Sequence, residues 1–311
     1  MNRLGGMILA WILVLVTSIF SVTAFQISEI GTSAEMIGKA GIEGFDHSAS
    51  SLFNNPASLS KVNKFAVSAF YSDYLKNDMK YINLSYATKT KLGTFGLGVM
   101  QARVDDIYHT QEIEGGAGEL EVADTFNYQN MLVKLAYQKS YKQLFNYGLN
   151  LNYYYSDLYS VEGTGVNADF GVLAYLKKFQ LSISMKNFLK GSQLKYTNGN
   201  EESLPFTITP SVAYTHKNTS YYYQQVIGLN ESYGLKSHQA GLTTTPPWLL
   251  NLLSVSAGIK NVEVNEKAGF VTRYTVGISL KTSLLSFHFA MESSEYYNQS
   301  QHYFFSTDIH L

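Results

Sequence analysis

From Leu285 to Leu311 the chain alternates apolar and polar residues with a period of two. Leu285, Phe287, Phe289 and Met291 fall on one face, and Ser286, His288, Ala290 and Glu292 on the other. After a short break, Tyr303, Phe305, Thr307, Ile309 and Leu311 oppose Phe304, Ser306, Asp308 and His310. Successive side chains of a β-strand point to opposite faces, so this spacing describes strands with one apolar and one wet side. The pattern recurs at 64–72, 78–88, 92–103, 127–139, 144–157, 164–176, 179–187, 205–216, 220–229, 234–244, 251–260, 269–281, 284–293 and 300–311, fourteen segments in all. Segments of about 9–14 residues exceed the five or six usual in soluble strands and suit strands tilted across a bilayer.

The connections sort by parity. Even-numbered ones are tight, as at Lys89-Thr90-Lys91, Lys177-Lys178, Lys217-Asn218-Thr219 and Thr282-Ser283. Odd-numbered ones are mostly longer, above all 104–126 and 188–204. Short turns on one side and long loops on the other are the arrangement of outer-membrane barrels. An even strand count returns the C-terminus to the periplasmic side. A soluble β-sandwich, the structural rival, has no reason to sort its loops this way.

The N-terminus supports an exported protein. Arg3 precedes an apolar run from Met7 to Phe20, and Val22-Thr23-Ala24 forms a small-residue cleavage site, so residues 1–24 read as a signal peptide. The run is shorter than the roughly 20 residues of a spanning helix. Any membrane passage by the mature chain must then be made by a closed sheet. The expected compartment is the outer membrane of a diderm bacterium.

Charged residues make up only 15% of the chain, whereas Tyr numbers 24 and Phe 18. Tyr71, Tyr86, Tyr108, Tyr128, Tyr175, Tyr196, Tyr214, Tyr233, Tyr274 and Tyr296 fall near proposed strand ends, where an amphipathic ring suits the headgroup zone. Net charge is −1, which gives no footing for nucleic acid. There is no Cys, so no disulfide framework or thiolate metal site exists.

Residues 25–62 differ from the rest. Gly31, Gly38, Gly41 and Gly44 and the turn Asn54-Asn55-Pro56 break any long strand, yet Ile30, Met36, Ile37, Ile42, Phe45, Leu52 and Phe53 are too apolar for a free tail. We expect a plug folded into or under a barrel formed by 63–311. Gly31, Gly38, Gly41, Asp46, Asn54, Asn55 and Pro56 are its plug or gate candidates. Pro56 has no N–H and suits the approach to the first strand. On the strands, Asn150, Asn152, Ser286, His288 and Glu292 are the expected lumen-lining residues.

Catalytic and cofactor motifs are missing. The seven His residues show no metal-binding spacing, Gly-x-Ser-x-Gly is absent, and Gly38-Lys39 lacks the remainder of a phosphate loop. The acidic stretch with Asp105, Asp106, Glu112, Glu114, Glu119, Glu121 and Asp124 has no calcium-loop spacing and reads as a solvated surface loop. We expect no catalytic residue, metal or cofactor. A barrel hydrolase built on His288 and Ser286 is the enzymatic alternative.

The stretch Gly31-Thr-Ser-Ala-Glu-Met-Ile-Gly-Lys-Ala-Gly-Ile, then Asp46 and Asn55-Pro56-Ala57-Ser58-Leu59, resembles the N-terminal region of PorV/PorQ-type outer-membrane proteins. These belong to a wider group similar to the FadL long-chain fatty-acid transporter. Lys186-Asn187, Leu194-Lys195-Tyr196, Leu204-Pro205, Ala213-Tyr214 and His302-Tyr303-Phe304 extend the resemblance to the C-terminus. It implies a fourteen-stranded barrel with an N-terminal plug. It also implies one of two roles. PorV/PorQ-type members of the type IX secretion system handle or attach exported proteins, here through the loops 104–126 and 188–204. FadL-like members pass hydrophobic small molecules; the PorV/PorQ role is the leading expectation and the FadL-like role the alternative. The expected partners are therefore outer-membrane lipid and, by role, secretion components with their cargo or apolar compounds. The many Asn, Ser and Gly residues on the inward faces argue against a long apolar channel.

Overall fold

A computed structural model of the chain describes residues 30–74, 79–112, 120–142, 144–229, 234–249, 252–265, 269–294 and 301–311. The expected signal peptide lies outside these residues, as do Glu114, Glu119, Tyr233 and Tyr296. The strands are β1 (Phe65–Tyr74), β2 (Met79–Lys89), β3 (Thr94–Glu112), β4 (Leu120–Tyr141), β5 (Phe145–Leu158), β6 (Val161–Leu176), β7 (Phe179–Lys186), β8 (Gln193–Tyr196), β9 (Glu201–Ser203), β10 (Thr207–His216), β11 (Thr219–Gly228), β12 (Gly234–Thr244), β13 (Leu253–Asn265), β14 (Gly269–Lys281), β15 (Leu285–Ser294) and β16 (Gln301–His310).

Fourteen of these strands, all but β8 and β9, pair antiparallel with both neighbours and close into a ring. Closure is made by β1 against β16, from Ala66–His310 to Tyr71–Phe305. The terminal residue continues that ladder, with Leu311 N donating to Phe65 O at 3.0 Å. A closed ring leaves no unpaired edge to template aggregation.

Alternation decides what faces out. Leu84, Leu97, Leu135, Leu151, Ile183, Ile278, Phe287 and Phe305 are all exposed on the outer surface, while their strand neighbours are buried inside. Exposing each such side chain to water forgoes about 1.5–3 kcal/mol. A belt of them around the whole ring is far larger than soluble monomers tolerate. Tyr71, Tyr86, Tyr108 and Tyr274 join the outer surface. Tyr128, Tyr175 and Tyr196 do not. The strand phase of β4 and β6 turns the first two inward, and Tyr196 belongs to β8, where its hydroxyl donates to Glu202 at 2.9 Å.

Two stretches expected to be loops contain strand. The β3–β4 ladder runs on from Val104–Tyr128 to Glu112–Leu120. Register shifts at Val104/Ile107 and His109/Thr110, with Asp106 at φ 55°, break the two-residue phase there and hid the continuation. Within 188–204, β8 and β9 form a small hairpin that pairs with β6 through Gly163–Tyr196 and Thr164–Lys195. β7 is short and pairs with β6 only between Phe170 and Leu176. The hairpin pairs with part of the β6 edge that β7 leaves free.

Candidate functional site

Residues 30–62 lie inside the ring, folded as α1 (Ala34–Gly38) and two 3-10 helices, Ala49–Phe53 and Pro56–Lys61. Ser33 caps α1 by accepting from Met36 N at 3.1 Å. Asn55 caps the second 3-10 helix by accepting from Ala57 N at 3.0 Å, with Pro56 in the first helical position, where no N–H is needed. The same Asn55 side chain donates toward the wall, to Ser182 Oγ at 2.8 Å and to Val172 O and Ile183 O at 3.3 Å. The Asn-Pro turn is thus a helix start docked onto β6 and β7.

The wall is shaped to receive this segment. A Cβ on Gly171 would come within 1.9 Å of Asn55 Oδ1, and one on Gly148 within 2.5 Å of Ala57 N. On Gly98 it would meet Phe53 at 2.4 Å, and on Gly277 the Cα of Gly38 at 2.8 Å. At Gly148 and Gly277 the backbone of the inner segment itself lies against the wall, and at Gly171 and Gly98 the Asn55 and Phe53 side chains fill the space a Cβ would take.

Every plug or gate candidate has an interior position. Gly31 O accepts from the Tyr81 hydroxyl at 2.9 Å, and Gly41 O from Gln224 Nε2 at 3.4 Å. Gly38 packs on β14. Asn54 donates to Thr32 Oγ1 at 2.6 Å, while its carbonyl accepts from Ser184. Asp46 pairs with Lys39, both fully buried. Burial works to lower the Lys39 pKa, but the Asp46 and Glu35 carboxylates outweigh it and hold the ammonium above the usual lysine value.

The lumen-lining candidates also point inward. Asn150 donates to Leu52 O at 2.7 Å, and Asn150 and Asn152 both donate to Asp169, at 3.2 and 2.7 Å. Asp169 also pairs with Lys134, whose ammonium reaches Phe53 O at 3.3 Å. Glu292 accepts from Arg273 at 3.0 Å. Ser286 and His288 face a cavity of about 370 Å³ beside α1. His288 Nδ1 lies 2.8 Å from Ser279 Oγ and Nε2 lies 2.9 Å from Asp308 Oδ2. The serine bonded to the imidazole is therefore Ser279, not Ser286. Two further ion pairs tie the inner segment to the wall, Lys186–Glu43 and Lys281–Glu35, each at 2.6 Å.

The lumen is not polar throughout. Phe70, Tyr81, Met100, Leu132, Leu194 and Phe304 are all buried in one apolar cluster, continuous with Leu52 and Phe53 of the inner segment. The Phe70 ring stacks on Phe304, centroids 6.1 Å apart, and meets Tyr81 edge-on at 5.5 Å. Beside it the β1–β16 ladder ends at Tyr71–Phe305, although β1 runs on to Tyr74 and β16 starts at Gln301. Beyond that point Ser72 Oγ reaches Tyr303 O at 3.3 Å. On the outer surface of the same wall lies an apolar groove of about 580 Å³. Tyr71, Ile82, Phe287, Phe305 and Thr307 line it, and Phe70 reaches it from the inside.

No family model matches the chain, and no curated protein matches it. Solved structures do. The toluene transporter TodX of Pseudomonas putida superimposes with a TM-score of 0.63 at 11% identity, over 90% of this chain and 99% of that one. The fold is that of the FadL-like barrels. The toluene transporter TbuX of Ralstonia pickettii matches with a TM-score of 0.58 at 10% identity, covering 90% and 98% of the two chains. A FadL homologue of Pseudomonas aeruginosa gives 0.55 at 8% identity, covering 89% and 97%.

Reading the strands alone missed the apolar cluster. Its members are scattered from Phe70 to Phe304, each a lone apolar residue on a mostly polar inward face. A count of inward Asn and Ser could not reveal that curvature and closure gather them on one side of the lumen.

Proposed function

We propose that the chain is an outer-membrane barrel, plugged by its N-terminal segment, that takes small hydrophobic compounds through the β1–β16 wall. The observation that carries this reading is the pairing of the outer apolar groove with the inner apolar cluster, meeting at Phe70 beside the last ladder pair, Tyr71–Phe305. An apolar solute dissolved in lipid can rest in the groove without desolvation cost. Among the described residues the β1–β16 register runs no further than Tyr71–Phe305, so a lateral passage would open just beyond Phe70. TodX and TbuX are toluene transporters, which agrees with this class of solute.

The test is uptake of toluene and of a long-chain fatty acid by cells or proteoliposomes carrying the barrel. Thr307→Trp fills the groove from the lipid side and should cut uptake several-fold while heat-modifiable gel mobility stays normal. Uptake equal to wild type in that variant would remove the wall route.

A second reading follows the PorV/PorQ resemblance and has its own observation, the β3–β4 ladder continuing to Glu112–Leu120 with acidic residues along it. A ribbon of this kind suits contact with exported proteins. Loss of surface-attached proteins on deleting 105–125, with uptake unchanged, would favour it over the first.

A further inference from the structure

We propose that Glu35, His288 and Asp308 form a binding site for one divalent transition-metal ion of the zinc class, joining the inner segment to the barrel wall. Glu35 sits in the first turn of α1, His288 on β15 and Asp308 on β16. One ligand atom from each lies within 4.8 Å of the other two. Zinc prefers imidazole nitrogen and carboxylate oxygen at about 2.0–2.2 Å, and atoms this close need only small rotations to converge on one ion. The sequence offers no hint of it, because the three ligands are far apart along the chain and share no spacing motif.

Three further observations fit an ion here. Asp308 is 2% exposed, and its Oδ1 has no hydrogen-bond partner among the described residues. A buried carboxylate oxygen without a partner is costly, and an ion supplies one. Next, the outer imidazole nitrogen is already oriented. His288 Nδ1 lies 2.8 Å from Ser279 Oγ, and in the tautomer that donates from Nδ1 to Ser279 the Nε2 lone pair would face the two carboxylates. Zinc-bound histidines are commonly fixed in this way. Finally, all three residues line the 370 Å³ cavity, which gives the ion an entry path and room for a water as fourth ligand.

The neighbouring charges leave this role open. Lys281 holds Glu35 through Oε1 at 2.6 Å, while the ligand atom is Oε2, 4.0 Å from His288 Nε2. Lys39 is taken by Asp46. The carboxylate without a lysine is Asp308. Binding places the ion where the Nε2 proton stands when His288 donates to Asp308. That proton moves to Nδ1 in the neutral ring or leaves to solvent from the charged one. No electron transfer is involved.

The test is titration of the metal-stripped, detergent-purified full barrel with Zn2+ against a chromophoric chelator. One saturable equimolar site is expected. It should be lost in His288→Ala and Asp308→Asn and kept in His310→Ala, whose residue lines the same cavity. Ser279→Ala should weaken binding about 10–100-fold. Stoichiometric binding indifferent to His288→Ala, or no equimolar binding by the wild type, would overturn the site. If the His288 and Asp308 variants fail to fold, X-ray absorption on zinc-loaded wild type decides it. One imidazole among oxygen donors is expected, and a shell of several imidazoles or of water alone refutes the proposal.

Discussion

Lys134 and Asp169 show how the lumen holds charge. Both are buried, and each has partners beyond the other: Phe53 O for the ammonium, and Asn150, Asn152 and the Asn187 backbone N–H for the carboxylate. Such a pair is expensive to break because the survivor is left charged and dry. Lys134→Met should cost about 3–5 kcal/mol in equilibrium unfolding from micelles. Adding Asp169→Leu should recover a large part of it. A single variant as stable as wild type would mean that water already reaches the pair. Asn55 shows the same economy without charge: one amide caps a helix with its oxygen and reaches three wall acceptors with its nitrogen. The sequence marked Asn55-Pro56 as a turn. It could not show that Ser182, from a strand more than a hundred residues later, completes it.

A barrel strand has two faces with opposite solvents. On β14, Val276, Ile278 and Leu280 face out, and Ile278 stands between Val255 of β13 and Phe289 of β15 in the paired ladder. Ile278→Arg should destabilise the barrel in lipid vesicles by about 2–4 kcal/mol, the cost of an arginine deep in the bilayer. Thr272→Arg on the same face, six residues nearer the start of β14, should cost about 0–1 kcal/mol. Equal effects at the two positions would contradict a lipid-facing belt. The period-two pattern made this face legible before any tertiary information, since apolar side chains recur at every second residue. The extension of β3 and β4 was not legible, because each bulge reverses the phase that a periodic reading follows.

At the scale of the molecule, the inner segment and the ring are two halves of one packing problem. The ring alone encloses a lumen that is polar except for one apolar side, and residues 30–62 fill it through glycine contacts, ion pairs and the Phe53–Met100–Leu132 cluster. Removing residues 34–59 while keeping residues 1–33 should leave a barrel that migrates normally in unheated gels. In planar bilayers that variant should conduct ions in discrete steps, with the wild type far below it. Matching conductance in the two proteins would mean that the segment does not obstruct the lumen. The variant's unpartnered Lys186 and Lys281 should also bias the pore toward anions.

The sequence by itself determined the strand periods, the number of wall strands, the face taken by residues in the unbulged stretches and the distinct character of residues 25–62. These are local properties, because alternation and turn chemistry act between residues close in the chain. Only the tertiary structure decided which inward residues meet. The apolar cluster around Phe70, the meeting of Glu35 with Lys281 and His288, and the approach of Gly38 to Gly277 all depend on closure of the ring and seating of the segment within it. Closure fixes distances between residues hundreds of positions apart, and no local pattern in the chain encodes those distances.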